Sequence, residues 1–211
     1  MTDVTDQPVF PDAAREVLAF WFDQPLTAPD LTTEVRAALQ KDRPEWFKKS
    51  DAFDALCRDR LQTLVEDALG GELDSWDANA QSAVAKILLL DQITRNIFRG
   101  TPKSFAGDAA ALGSAQQLVA RGAHEHLTPH EQTFALMPYE HSEDAAVQEE
   151  SVRLVEALMA RAPDPTDYAD FARRHRDIVV RFGRFPHRNA ILGRRSTAEE
   201  IEFLKTPGSG F

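Results

Sequence analysis

Apolar residues in this chain recur at helical spacing, and Gly and Pro cut the pattern at short intervals. Phe53, Leu56, Cys57, Leu61, Leu64, Val65 and Ala68 form one such stripe, behind the N-cap candidate Ser50 and ahead of the stop Gly70-Gly71. No segment alternates apolar and polar residues between turn signals, as a half-buried strand must. This pattern argues against sheet-based folds and predicts an all-α chain.

The same reading runs from end to end. Asp12 caps a helix carrying Val17, Leu18, Trp21 and Phe22, closed by Pro25 and Pro29, and Pro44 opens a turn with Trp46 and Phe47. A helix from about Ala78 to Arg99 stops at Gly100, and its run Ile87–Leu90 is apolar on more than one face, which predicts neighbours on several sides. Thr101-Pro102 restarts the chain into a helix with Leu112, Ala115, Leu118 and Val119, ended by Gly122. Thr128-Pro129-His130-Glu131 is a capping box, and Pro138 is expected to interrupt its helix. Ser142 is expected to cap the next, with Glu143 and Asp144 in its first turn. Pro163 and Pro165 separate that helix from one carrying Tyr168, Phe171, His175, Ile178 and Phe182, stopped by Gly183. Pro186 opens a short piece ended by Gly193, and Thr197–Glu200 is a second capping box. Short loops predict stacked antiparallel hairpins in a single domain, residues 1–211, with flexible tails at 1–10 and 206–211. No repeat of about 34 residues is sustained. One weak echo exists: Arg95-Asn96-Ile97-Phe98-Arg99-Gly100 resembles Arg188-Asn189-Ala190-Ile191-Leu192-Gly193-Arg194.

Composition narrows the function classes. One cysteine cannot form an internal disulfide, and nothing suggests an oxidising compartment. Met1–Phe10 carries Asp3 and Asp6 and no apolar stretch, unlike a secretory leader, and Ile87–Leu90 is far too short to span a bilayer. A cytoplasmic protein is expected. The net charge of −10 repels nucleic acid and anionic membranes. The charge is uneven: Phe171–Arg195 holds eight Arg and one Asp, so this segment is +7 and the rest −17. Those arginines either pair with the chain's own carboxylates or hold an anionic partner.

Three constellations could carry chemistry. Asp91, Arg95 and Arg99 recur every fourth residue, with Asn96 beside them, where the apolar line of Val84, Ile87 and Leu88 turns polar. Burying such groups costs about 1–3 kcal/mol for each one left unsatisfied, so they are paired or face a ligand. Glu140-His141 is expected in a loop beside a helix start, where a carboxylate could hold the imidazole tautomer for proton transfer. Arg184, His187, Arg188, Asn189 and Arg194 crowd a corner set by Gly183 and Pro186, suited to carboxylate or phosphate. The remaining candidates are weaker. Cys57 belongs to a core stripe, and His175 reads as a hydrogen-bonded core residue. His124, His126 and His130 meet no established ligand spacing. No metalloprotease, nucleophile-elbow or dinucleotide motif occurs, so neither metal nor cofactor is expected.

Leu88-Leu89-Leu90-Asp91-Gln92, Arg95-Asn96-Ile97-Phe98-Arg99-Gly100-Thr101, Met137-Pro138-Tyr139-Glu140-His141-Ser142-Glu143 and Arg181–Arg194 with Ser196-Thr197 together resemble the bacterial "domain of unknown function 924" family, over roughly Val17–Leu204. The resemblance implies a helical fold similar to the tetratricopeptide-repeat superfamily and names no activity. Ile93-Thr94 departs from the family's usual Phe-Pro, so the helix is expected to run straight through this position.

The sequence therefore predicts one polar pocket with Asp91, Arg95, Asn96 and Arg99 on one wall, Glu140 and His141 on a second, and Arg184, His187, Arg188, Asn189 and Arg194 on a third. Binding of a small anionic ligand is the first expectation. The alternatives are a hydrolase- or transferase-type enzyme using His141 or His187, with Glu140, as acid/base and arginines as oxyanion stabilisers, and a scaffold for an acidic protein or peptide. The oligomeric state is not legible.

Overall fold

In the computed structural model, residues 10–23, 32–163 and 166–210 are described, and the prolines expected at 25, 29 and 165 lie outside them. These residues are helical with no strand among them. The main helices are α1 (Asp12–Phe22), α2 (Thr33–Leu39), α3 (Pro44–Phe47), α4 (Asp51–Gly70), α5 (Ala80–Ile87), α6 (Thr94–Ile97), α7 (Asp108–Ala120), α8 (Pro129–Glu140), α9 (Ala145–Arg161), α10 (Tyr168–Phe182) and α11 (Ala198–Phe203). A π-helical turn, Leu88–Ile93, joins α5 to α6.

The α5–π–α6 rod is the axis of the molecule. Ile87, Leu88, Leu89 and Leu90 are fully buried, as an all-round apolar run requires. α1, α7 and α8 pack on α5, and α4 packs on the π turn and α6. α8, α9 and α10 then lie side by side in chain order. Trp21, Phe22, Trp46 and Phe134 seal one end of the core, with Trp46 and Phe134 centroids 4.9 Å apart in an edge-on arrangement.

Several boundaries follow the sequence. Ser50 accepts from the Phe53 N–H, and both capping boxes, Thr128/Glu131 and Thr197/Glu200, are complete. Others differ. Pro11, not Asp12, is the N-cap of α1, and Asp12 is its first residue. Thr101 opens only a 3-10 turn, Pro102–Phe105, and α7 begins later behind Gly107. Pro138 does not interrupt α8, which continues to Glu140. Pro138 lies in the last turn, so only one backbone hydrogen bond is forfeited there. Glu140 is thus helical and His141 is the C-cap, rather than loop residues. Asp144, not Ser142, caps α9 by accepting from the Ala146 and Val147 N–H groups, so Glu143 is not in its first turn. The helix expected to end at Arg99 ends at Ile97, and Phe98-Arg99-Gly100 turns away from the rod.

The axis also does not run straight as a simple α-helix. Leu88–Ile93 widens into the π turn, and the Leu89 carbonyl accepts both the Thr94 N–H and, at 2.6 Å, the Thr94 hydroxyl. Gly107 sits directly on this turn: a Cβ there would lie 2.2 Å from the Leu90 carbonyl oxygen. π turns of this kind recur at functional sites.

Candidate functional site

Asp91 sits in the π turn with no exposed surface. One carboxylate oxygen accepts from His141 Nδ1 at 2.6 Å and from Arg95 at 3.1 Å, and the other accepts from Gln92 at 2.5 Å. Burial alone would raise its pKa, but Arg95, His141 and the Gln92 hydrogen bond outweigh it and hold the carboxyl well below its usual range. Arg95 bridges onward to Asp108 on α7, at 3.0 Å, and Arg188 reaches the same Asp108 at 3.1 Å. The Arg188 guanidinium lies between the rings of Phe105 and Phe185, 4.8 and 4.6 Å from their centroids. Burial pushes Arg188 down and Asp108 up, in the latter case against the pull of Arg95.

A second layer is less charged. Glu140 ends α8 almost fully buried, and burial, reinforced by Asp91, pushes its pKa up to about 8. His175 Nδ1 lies 3.6 Å from the Glu140 carboxylate and 2.9 Å from the Phe171 carbonyl. The rings of His141, His175, Phe185 and His187 form a ladder with successive centroids 6.1, 5.6 and 5.5 Å apart. Burial, with the charges of His141 and Arg188 nearby, drives His175 down to about 3. Burial and then Arg188 drive His187 down to about 4. At neutral pH this layer therefore holds a protonated carboxyl and two uncharged imidazoles beside an ionised Asp91.

Gly183, in the left-handed conformation at the end of α10, turns the chain so that Phe185 and Arg188 fold back onto the centre. Glu143 closes this corner, accepting from Arg194 at 2.6 and 2.9 Å and from the Phe185 N–H at 2.8 Å. Residues 206–210 also return to this side, with Gly208 against Arg174 and Gly210 against His187.

The predicted pocket is thus divided. Asp91, Arg95, His141 and Arg188 converge, with Glu140, His187 and Arg194 in the adjoining layers. Asn96 and Arg99 do not join them: they turn to Asp54 on α4, because the helix ends at Ile97 before Arg99 can share the Asp91 face. Arg184 pairs with Glu200, whose carboxyl it holds down at about 2. Asn189 accepts from Arg194 and donates to Ser196. In the basic segment, Arg173, Arg176, Arg181, Arg184, Arg188 and Arg194 each meet a carboxylate.

Sequence reading missed Asp54, Asp108 and Glu143. A signal for two of them existed. Asp54 heads the stripe Cys57, Leu61, Val65, Ala68, and Asp108 heads Ala111, Ala115, Leu118, all buried. A carboxylate on an apolar face is the same anomaly that singled out Asp91. Among the described residues no group of three His, Cys, Asp or Glu side chains is arranged for a metal ion.

These features define an all-helical protein with an enclosed centre in which a buried aspartate orients a histidine. The chain belongs to the bacterial proteins of unknown function DUF924, whose family model matches residues 17–208. It is similar to the solved structure of a protein of unknown function from Agrobacterium tumefaciens, with 36% identity, a TM-score of 0.75, and coverage of 91% of this chain and 96% of that one. No curated protein matches the sequence.

Proposed function

We propose that this protein is an acid–base enzyme of hydrolase or transferase type, with His141 as the proton-transferring group. The observation that carries this reading is the 2.6 Å contact between His141 Nδ1 and a fully buried, ionised Asp91. Such a carboxylate fixes the ring tautomer, leaves Nε2 for chemistry, and stabilises the imidazolium that forms on proton uptake. His141 keeps 17% of its side-chain surface exposed, and a substrate would approach along that edge.

The neighbours fit the same task. Glu140 stays protonated where Asp91 is ionised, and two carboxyls driven apart in this way can serve as acid and as orienting base. Arg95 and Arg194 are 20% and 24% exposed, and each is held by carboxylates, Arg95 by Asp91 and Asp108 and Arg194 by Glu143. Cys57 is fully buried with its thiol pushed up to about 12, which argues against it as nucleophile. Water or a substrate hydroxyl, activated by His141, is the nucleophile in this reading. The arginines of the centre already have carboxylate partners, so simple anion capture there is less favoured.

The test is turnover of small chromogenic esters, amides and phosphomonoesters by the wild type, His141→Asn and Asp91→Asn. General-base loss should lower kcat by about 100-fold or more with KM little changed. Hydrolysis that persists undiminished in His141→Asn, or that is absent for every substrate class, counts against the reading.

A further inference from the structure

Asn96 and Arg99 lead to a second place on the molecule. Lys49, Asp51, Asp54, Arg58, Asn96, Arg99 and Gly100 line an open cleft of about 410 Å³, between the start of α4 and the turn after α6. Its lining carries five charged side chains and one amide, with the aliphatic stems of Lys49, Arg58 and Arg99 between them.

The hydrogen bonds decide the sign of its charge. Asp54 is buried, and its oxygens accept from Asn96 at 2.8 Å and from Arg99 at 2.6 and 2.8 Å. Both oxygens are therefore occupied, and the carboxyl is held below its usual range although burial opposes this. Asp51 is largely exposed and lies 3.2 Å from Lys49. Neither acid offers a preorganised cation seat. The donors are different. Arg99 is gripped by Asp54 through Nε and Nη2, which fixes the plane of its guanidinium and leaves the Nη1 edge unused. Arg58 spends only Nη2, on the Ile97 carbonyl at 2.9 Å. Lys49 is 65% exposed, and its solvent-open pair with Asp51 can give way to a third contact with an anion.

We propose that this cleft is a binding site for a small anion, a carboxylate or phosphate group, recognised by Arg99 Nη1, Arg58 and Lys49, with Asp54 as the positioning residue. It is separate from the Asp91–His141 centre and does not depend on the activity proposed there. Asp54 offsets the charge of Arg99 and in exchange makes it rigid, so the surplus positive charge of the cleft comes from Arg58. A rigid, partly satisfied guanidinium binds an oxyanion with less ordering entropy than a free one.

The probes are inorganic phosphate and malonate, titrated by calorimetry and by thermal shift into the full-length protein at low salt. One of them should bind saturably, and the preferred probe separates phosphate from carboxylate chemistry. Lys49→Gln combined with Arg58→Gln, which leaves the Asp54–Arg99 pair intact, should weaken that probe by about tenfold or more, as loss of charge-assisted hydrogen bonds does. His141→Asn should leave it unchanged. Arg99→Lys keeps the charge but loses the fork, and should weaken binding while the protein remains folded by circular dichroism. Undiminished affinity in the Lys49/Arg58 double variant overturns the proposal. So does a loss of binding only in His141→Asn, which would place the anion in the other centre, and so does no saturable binding of either probe.

Discussion

Asp91 and Asp54 face one physical problem and meet it with different partners. Each is a buried carboxylate on an otherwise apolar helix face, and each is neutralised by an arginine and by an uncharged amide donor. Around Asp91 the third donor is an imidazole, and what remains unused is a ring nitrogen able to move a proton. Around Asp54 the arginine is held in two-point contact, and what remains is one edge of a fixed positive charge. The first is enclosed and linked to Asp108, Arg188 and Glu140, whereas the second opens on solvent. The choice of donor, more than the carboxylate, sets what each place can do.

The contrast predicts unequal costs. Asp91→Ala removes the buried partner of His141 and Arg95, which keep 17% and 20% of their surface exposed, and urea unfolding should register a loss of about 3 kcal/mol, the lower end for breaking a buried pair. Asp54→Ala releases Arg99 toward water, and the loss should be nearer 1–3 kcal/mol, roughly the cost of one unsatisfied polar group. Equal losses would mean that the two carboxylates are equally enclosed. Next comes Gly107→Ala. Its methyl would overlap the Leu90 backbone, so the π turn or α7 must move, at a cost of about 3 kcal/mol or more and with a shift of the Asp91–His141 geometry. A wild-type histidine NMR spectrum in this variant would show that the π turn yields without moving the site.

The smallest effect per unit of change is in pH dependence. Glu140 has a folded pKa of about 8, above its ordinary 4.5, so the fold favours its protonated form. That contribution is complete below pH 4.5 and is lost as pH rises toward 8, with a slope of at most about 1.4 kcal/mol per pH unit. Glu140→Gln should flatten this decline between pH 4.5 and 8. Asp54 carries no such dependence in that window, since its pKa is lowered and its contribution fades only in acid. His175, at about 3, also acts in acid: the fold keeps it neutral, so stability falls as pH drops from 6.5 toward 3. An unchanged slope between pH 4.5 and 8 in Glu140→Gln would remove the buried protonated carboxyl from the centre.

Local signals in the sequence were enough for the helical architecture. The stripe on α4, the caps Ser50, Thr128 and Thr197 and the glycine stops act within a few residues, so they can be read in order along the chain. The partners of the polar centre could not be read in that way. Asp91 meets His141 fifty positions away, and Arg188 meets Asp108 across eighty. Glu143 illustrates the error this causes. Its place near a helix start was explanation enough in sequence, yet Asp144 performs the capping and Glu143 binds Arg194. The π turn was invisible for another reason, because Leu88–Leu90 is buried whichever way the backbone winds. The Arg-Asn echo proved informative in part: Arg95 and Arg188 both grip Asp108, while Asn96 and Asn189 serve different arginines' surroundings.

The π turn works as a phase shifter. An α-helix advances about 100° per residue, so one extra residue within Leu88–Ile93 re-aims everything that follows relative to everything before. Beyond it, Arg95 bonds Asp91 while Asn96, one residue and about 100° further round, bonds Asp54 on α4, so a single rod faces two chemistries on adjacent flanks. Removing one residue there would keep the helix and its hydrophobicity while swinging α6 out of step with both carboxylates. The timing of one turn, rather than any one side chain, keeps the two places distinct.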